Sequence, residues 1–202
     1  MKRSMENGVK WLGAWCLALA LAGCSLGRME PAPVLYDLGI DDTPAPAGVG
    51  MHKPVALAFS VAPALADTGM VWRVGNSDSP RIYTRSRWSV PPPDLVRQRL
   101  SERLARLGPV VPGDTVGLPR LQVTLTRFEQ VFSADGATST GQVALQAVLL
   151  RADGQLIAQK LVRRSVASAT QDAGGGARAL SQATDEAADE LSVWLSGAMR
   201  RD

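Results

Sequence analysis

The chain has 202 residues, 46% of them apolar and 20% charged, which suits one folded domain of about 150 residues with appendages and excludes a long disordered chain. Its 22 Lys and Arg against 19 Asp and Glu give a formal charge of +3. Lys2, Arg3 and Lys10 against Glu6 hold two of those three charges, so the rest is nearly neutral and offers no electrostatic reason to bind nucleic acid. Two cysteines and a single histidine, His52, exclude a disulfide scaffold and narrow the available chemistry.

The first element is a signal. A basic opening, MKRSMENGVK, precedes the uncharged stretch WLGAWCLALALAG. That stretch falls short of the ~20 apolar residues that a spanning helix needs and fits the apolar region of a secretory signal. Its end, Leu21-Ala22-Gly23-Cys24, resembles a bacterial lipobox. The resemblance implies that the Cys24 thiol receives a diacylglyceryl group, that residues 1–23 are removed, and that the new amino terminus is acylated, with palmitate-type chains. Each buried methylene would hold the anchor by ~0.8 kcal/mol. The plainer reading is an ordinary signal peptide or short membrane helix with a chance cysteine. Cys16 would leave with the signal. Ser25 lacks the aspartate that resembles an inner-membrane retention signal, so the outer membrane, at its periplasmic face, is the expected destination.

Residues 24–53 are rich in Pro and Gly and read as tether, with an apolar island at Val34–Leu38 that fits an edge strand. The expected domain spans 54–202. Val55–Ala62 is nearly continuously apolar, as a buried strand is. Met70–Val74 is a second strand, and Arg81–Trp88 alternates as a third. Pro91-Pro92-Pro93 opens a helix whose stripe is Val96, Leu100, Leu104 and Leu107, with Arg97, Arg99, Arg103 and Arg106 mostly off it. Leu121, Val123 and Leu125 alternate with polar residues until Phe128 breaks the phase, which predicts a bulge. Val143–Leu149 and Gln155–Ser168 continue an antiparallel meander around the turn signal Asp153-Gly154. Gly174-Gly175-Gly176 reads as a flexible loop. A last helix carries Leu180, Ala183, Ala187, Leu191, Trp194 and Ala198 on one face and Asp185, Glu186, Asp189 and Glu190 on its wet side. The expected class is therefore α+β, a mostly antiparallel sheet with two amphipathic helices on one face.

Little catalytic chemistry is legible. His52 stands in a Pro/Gly-rich segment and reads as a solvated linker histidine, without a nucleophile elbow or metal-ligand spacing to join. The carboxylate pairs Asp41-Asp42, Asp185-Glu186 and Asp189-Glu190 read mainly as solvated surface. The expectation is a protein that is not an enzyme and uses no cofactor or metal. One segment carries more information. Trp72, Arg73, Tyr83, Arg85, Arg87 and Trp88 interleave aromatics with guanidinium groups, the residue types that dominate interface hot spots and suit lipid headgroups. The competing reading places the aromatics in the core and the arginines in solvent.

The order of short words along the chain resembles one family. A lipobox precedes Tyr36-Asp37-Leu38; a Val-rich strand, Trp72-Arg73, Ile82-Tyr83-Thr84 and Arg87-Trp88 follow; then come a Pro-led helix, a Leu-x-Val-x-Leu-x-x-Phe strand at Leu121–Phe128 and an alanine-rich helix. This is similar to the ABC-type transport auxiliary lipoproteins, over about residues 34–197. Ser89-Val90-Pro91 departs from the Ala and Pro-Leu pair more usual there. The resemblance implies a subunit of a phospholipid or other lipid transport system, docking an MCE (mammalian cell entry) protein of an ABC transporter, with assembly into a homo-oligomeric ring. The alternative class is an assembly or chaperone lipoprotein for outer-membrane machinery, such as lipopolysaccharide insertion or a secretion channel. An envelope hydrolase ranks last.

Overall fold

The computed structural model describes residues 31–44 and 47–201; the signal at 1–23 and the lipidation site Cys24 lie outside them. One compact unit runs from Pro33 to Asp202. Its elements are β1 (Val34–Tyr36), β2 (Val55–Val61), a 3-10 turn (Pro63–Leu65), β3 (Gly69–Val74), β4 (Arg81–Trp88), α1 (Pro92–Ala105), β5 (Val110–Pro112), β6 (Arg120–Phe132), β7 (Ser139–Leu150), β8 (Leu156–Ala167) and α2 (Ala173–Arg201). This is an α+β fold with a mostly antiparallel sheet, and the unit contains the whole core.

Strand β6 organises the sheet. On one side it pairs antiparallel with β7 along its full length, from Arg120↔Leu150 to Phe132↔Ser139, and β7 continues to β8. On the other side two strands share it. β2 runs parallel to Arg120–Leu125, and β3 runs parallel to Gln130–Phe132. β5 extends the first branch beside β2; β4 and then β1 extend the second. The parallel pairs at this fork were not part of the expected meander, because the chain must cross over between them. The predicted bulge is present, with the register stepping between Leu125 and Arg127. It leaves Thr126 and Arg127 both exposed in succession.

Both helices lie on one face. α2 packs on β6, β7 and β8, and α1 packs on α2 and β2. Val96, Leu100 and Leu104 of α1 meet Leu180, Ala183, Ala187, Leu191 and Leu195 of α2 above Leu121, Val123, Leu125, Leu145 and Leu149 of the sheet, all nearly or fully buried. Each such leucine contributes ~1.5–3 kcal/mol by leaving water. α1 begins where it must. Pro91 is extended (φ −54°, ψ 141°) with Pro at the first helical position, since a residue before proline is kept out of the helical region.

Four expectations need correction. The fold takes in the chain from Pro33, and β1 pairs parallel with β4, so much of the expected tether is domain. His52 is only 5% exposed: its Nδ1 and Nε2 face the carbonyl oxygens of Lys53 (2.7 Å) and Leu104 (3.1 Å), and its amide donates to Leu107. Gly174-Gly175-Gly176 is the first turn of α2, not a loop. Asp172 accepts the Gly175 N–H at 2.7 Å as its N-cap, and a Cβ on Gly175 or Gly176 would collide with Thr170 or Gln130. Arg99 and Arg103 are buried, with carboxylates from the supposed wet side of α2 bound to them.

Candidate functional site

The six aromatic and arginine positions separate by strand geometry. Successive strand residues point to opposite faces. Trp72 lies 6.0 Å from the Tyr83 ring and 5.5 Å from Phe132, with the Arg81 guanidinium 5.2 Å above it. Tyr83 donates to Gln130 Oε1 at 2.9 Å, and Gln130 donates on to Ser139 at 2.8 Å. Burial, helped by the negative charges of Asp172 and Tyr36, pushes the Tyr83 phenol up to about 12. Arg73, on the opposite face, binds Glu129 Oε2 at 2.7 Å and the Ser77 carbonyl at 2.7 Å. Arg87 donates to the Tyr83 carbonyl at 2.9 Å. Arg85 is exposed and has no partner among the described residues. Trp88 is 1% exposed and packs on Phe128 at 5.2 Å, so it belongs to the core, where no partner can reach it. Trp72, Tyr83, Arg85 and Arg87 remain as an aromatic and cationic patch on the β3–β4 branch.

A second cluster was not foreseen. Arg99 on α1 donates to Asp185 on α2 at 2.5 Å and to the Leu38 and Gly39 carbonyls at 2.7 and 2.6 Å. Arg103 holds Asp41 through Nε (2.8 Å) and Nη2 (2.9 Å) and Asp189 through Nη1 (2.8 Å). Arg106 adds a contact to Asp41 at 2.9 Å, and Ser181 donates to the Leu38 carbonyl at 2.6 Å. These groups clamp residues 38–41 between the two helices. Burial alone would raise the Asp41 carboxyl, but the Thr43 amide and the Arg103 guanidinium outweigh it and hold the group below the usual carboxylate value. For Asp185 burial prevails over Arg99 and Arg103, and its carboxyl is raised. A signal for this cluster does exist in the sequence. Arg99 and Arg103 are one helical turn apart, as are Asp185 and Asp189, which makes two complementary stripes.

Among the described residues no group of three His, Cys, Asp or Glu side chains is placed to hold a metal ion, and no helix is long and apolar enough to cross a membrane.

Comparison with known proteins decides the family. The sequence pattern of the ABC-type transport auxiliary lipoprotein component matches residues 42–192. The chain belongs to that family. As an auxiliary lipoprotein of ABC-type transport it works beside transporter subunits at a membrane. Among solved structures it is similar to protein XCC0632 from Xanthomonas campestris, with 19% identity, a TM-score of 0.73, and coverage of 84% of this chain and 98% of that one. An uncharacterized protein matches with 17% identity and a TM-score of 0.60, over 80% of this chain and 97% of its own. The hypothetical protein CT253 from Chlamydia trachomatis matches at 6% identity and a TM-score of 0.50, over 76% and 100%. At these identities the likeness concerns the fold alone. No curated protein matches the sequence.

Proposed function

We propose that this auxiliary lipoprotein is held at the periplasmic face of the outer membrane by acyl chains on Cys24 and docks the MCE protein of an ABC-type lipid transporter, without catalysing a reaction itself. The family match over residues 42–192 carries the reading. The lipobox ending at Cys24 and the Ser25 that follows it support the location. The β3–β4 patch supports docking. Trp72 and Tyr83 present amphipathic rings, and Arg85 presents a guanidinium with no partner among the described residues, the composition favoured at interface hot spots. A ring of several copies would present the patch repeatedly and raise its apparent affinity.

The test uses the full chain in the envelope, with Arg85→Glu and Trp72→Ala. Both variants are expected to lose co-purification with an MCE-domain protein of the same envelope while keeping the wild-type circular dichroism spectrum. Co-purification at the wild-type level in both variants removes the docking patch. Wild-type membrane attachment in Cys24→Ala removes the anchor.

A further inference from the structure

The helix-free face of the sheet carries an unassigned cavity. It opens where β2 and β3 part company along β6. Ala62 after the end of β2, Ala64 and Leu65 of the 3-10 turn, and Val71 and Ile82 of the β3–β4 pair wall a mainly apolar space of about 300 Å³, the small end of the ~300–1,000 Å³ range of ligand pockets, with the paired Arg73 and Glu129 at one side of its lining. Thr126 and Arg127 also line it. The same two residues line a broader groove of about 690 Å³ that crosses β7 to β8 and reaches Gln142 and Arg163. One trough therefore has a mainly apolar end, where the only charges are the neutralised pair Arg73 and Glu129 beside Arg127, and a cationic end.

The bulge builds this junction. A regular strand would turn one of Thr126 and Arg127 inward; the register step leaves both outside. Arg127 lies opposite Ala144, and Ala144 lies opposite Arg163, so the two guanidinium groups face each other across one alanine. At ~4.8 Å between strands the backbones are ~10 Å apart, within reach of two long side chains that converge. Arg163 makes no hydrogen bond or ion pair through its side chain among the described residues. The local carboxylate, Glu129, does not cancel this charge: its oxygens are taken by Arg73 at 2.7 Å and by Arg127 at 3.4 Å, leaving an excess of cations.

We propose that this trough binds a single-chain amphiphile with a phosphate head: the end of the acyl chain in the wedge between β2 and β3, and the phosphate between Arg127 and Arg163. Two guanidinium forks suit the several oxygens of a phosphate, whereas one fork suffices for a carboxylate. Gln142, which accepts from Arg127 at 2.9 Å, holds that fork in place. The site is separate from the docking patch, and the inference does not rest on the MCE reading. Lipid binding and co-purification can fail independently.

Residues 25–202, which contain the whole compact unit Pro33–Asp202, are titrated by calorimetry with dodecyl phosphate below its micelle concentration, with dodecyl maltoside, and with inorganic phosphate. Dodecyl phosphate is expected to bind at least tenfold more tightly than either of the others. Arg163→Gln, which removes a charged hydrogen-bonding partner, weakens it about tenfold. Ala64→Trp fills the wedge from an exposed position and weakens it at least as much. Equal binding of dodecyl maltoside overturns the proposal, as does unchanged affinity in either variant that retains the wild-type circular dichroism spectrum.

Discussion

Arg103→Met tests the buried clamp directly. The Arg103 side chain is 3% exposed and that of its partner Asp41 is 1% exposed, so the substitution strands a carboxylate out of water. Asp41 keeps Arg106 at 2.9 Å, while Asp185 and Asp189 lose the cation they share. Removing one member of a buried pair costs ~3–5 kcal/mol; the surviving Arg106 contact places this case near the lower end, at ~3 kcal/mol. In a domain of this size ~1 kcal/mol moves the melting temperature by ~2–4 °C, so a fall of ~6–12 °C is expected in thermal unfolding of residues 25–202 at neutral pH. Adding Asp41→Leu removes the stranded charge, and the double variant should melt above the Arg103→Met single variant. A fall below ~2 °C, or a double variant that melts lower still, refutes the assignment of the clamp as a coupled buried network.

Two neighbouring glycines should respond with opposite signs. Around Gly174 a new Cβ meets only ordinary contacts, the nearest being Asp172 Oδ1 and Tyr36 Oη at 3.5 Å, so Gly174→Ala should stabilise by ~0.4–1 kcal/mol through the unfolded chain. At Gly175 the Cβ would strike the Thr170 carbonyl, and Gly175→Ala should destabilise by ~1–3 kcal/mol; chemical denaturation of the two variants checks both, and a shared sign contradicts the close approach. Tyr83, with its folded value raised to about 12 above the ordinary ~10, adds stability that is fully present below pH ~10 and is lost as pH rises toward 12. In a Tyr36→Phe background, which removes the smallest of the three causes and leaves burial, the remaining phenolate absorbance should still titrate well above the ordinary ~10, and a midpoint near 10 contradicts the burial of that hydroxyl.

Local signals were legible because they act locally. Alternation in Leu121–Leu125 set a strand, the broken phase at Phe128 announced a bulge that the structure places beside Thr126, and Asp153-Gly154 set a turn in which Gly154 takes φ 90°. The aromatic patch was half legible. Trp72 and Tyr83 do meet, but composition alone does not tell a core tryptophan such as Trp88 from a surface one. The clamp was hidden because Arg99 and Asp185 lie 86 residues apart, and charges off an apolar stripe look solvated until a second helix arrives. His52 was misread for the same reason, since its acceptor at Leu104 is 52 residues away. The glycine run looked loose because closeness of approach leaves no mark in composition; here it is the condition for seating α2 against Gln130 and Thr170.

The fork at β6 also dictates an order of events during synthesis. β2 and β3 emerge long before the strand that joins them: Ser60 bonds Thr124 across 64 residues of chain. Until β6 arrives both carry unsatisfied edges and uncovered apolar side chains, and pairing over such separations is slow. The nascent N-terminal half is thus exposed to aggregation for as long as β6 is still to be made.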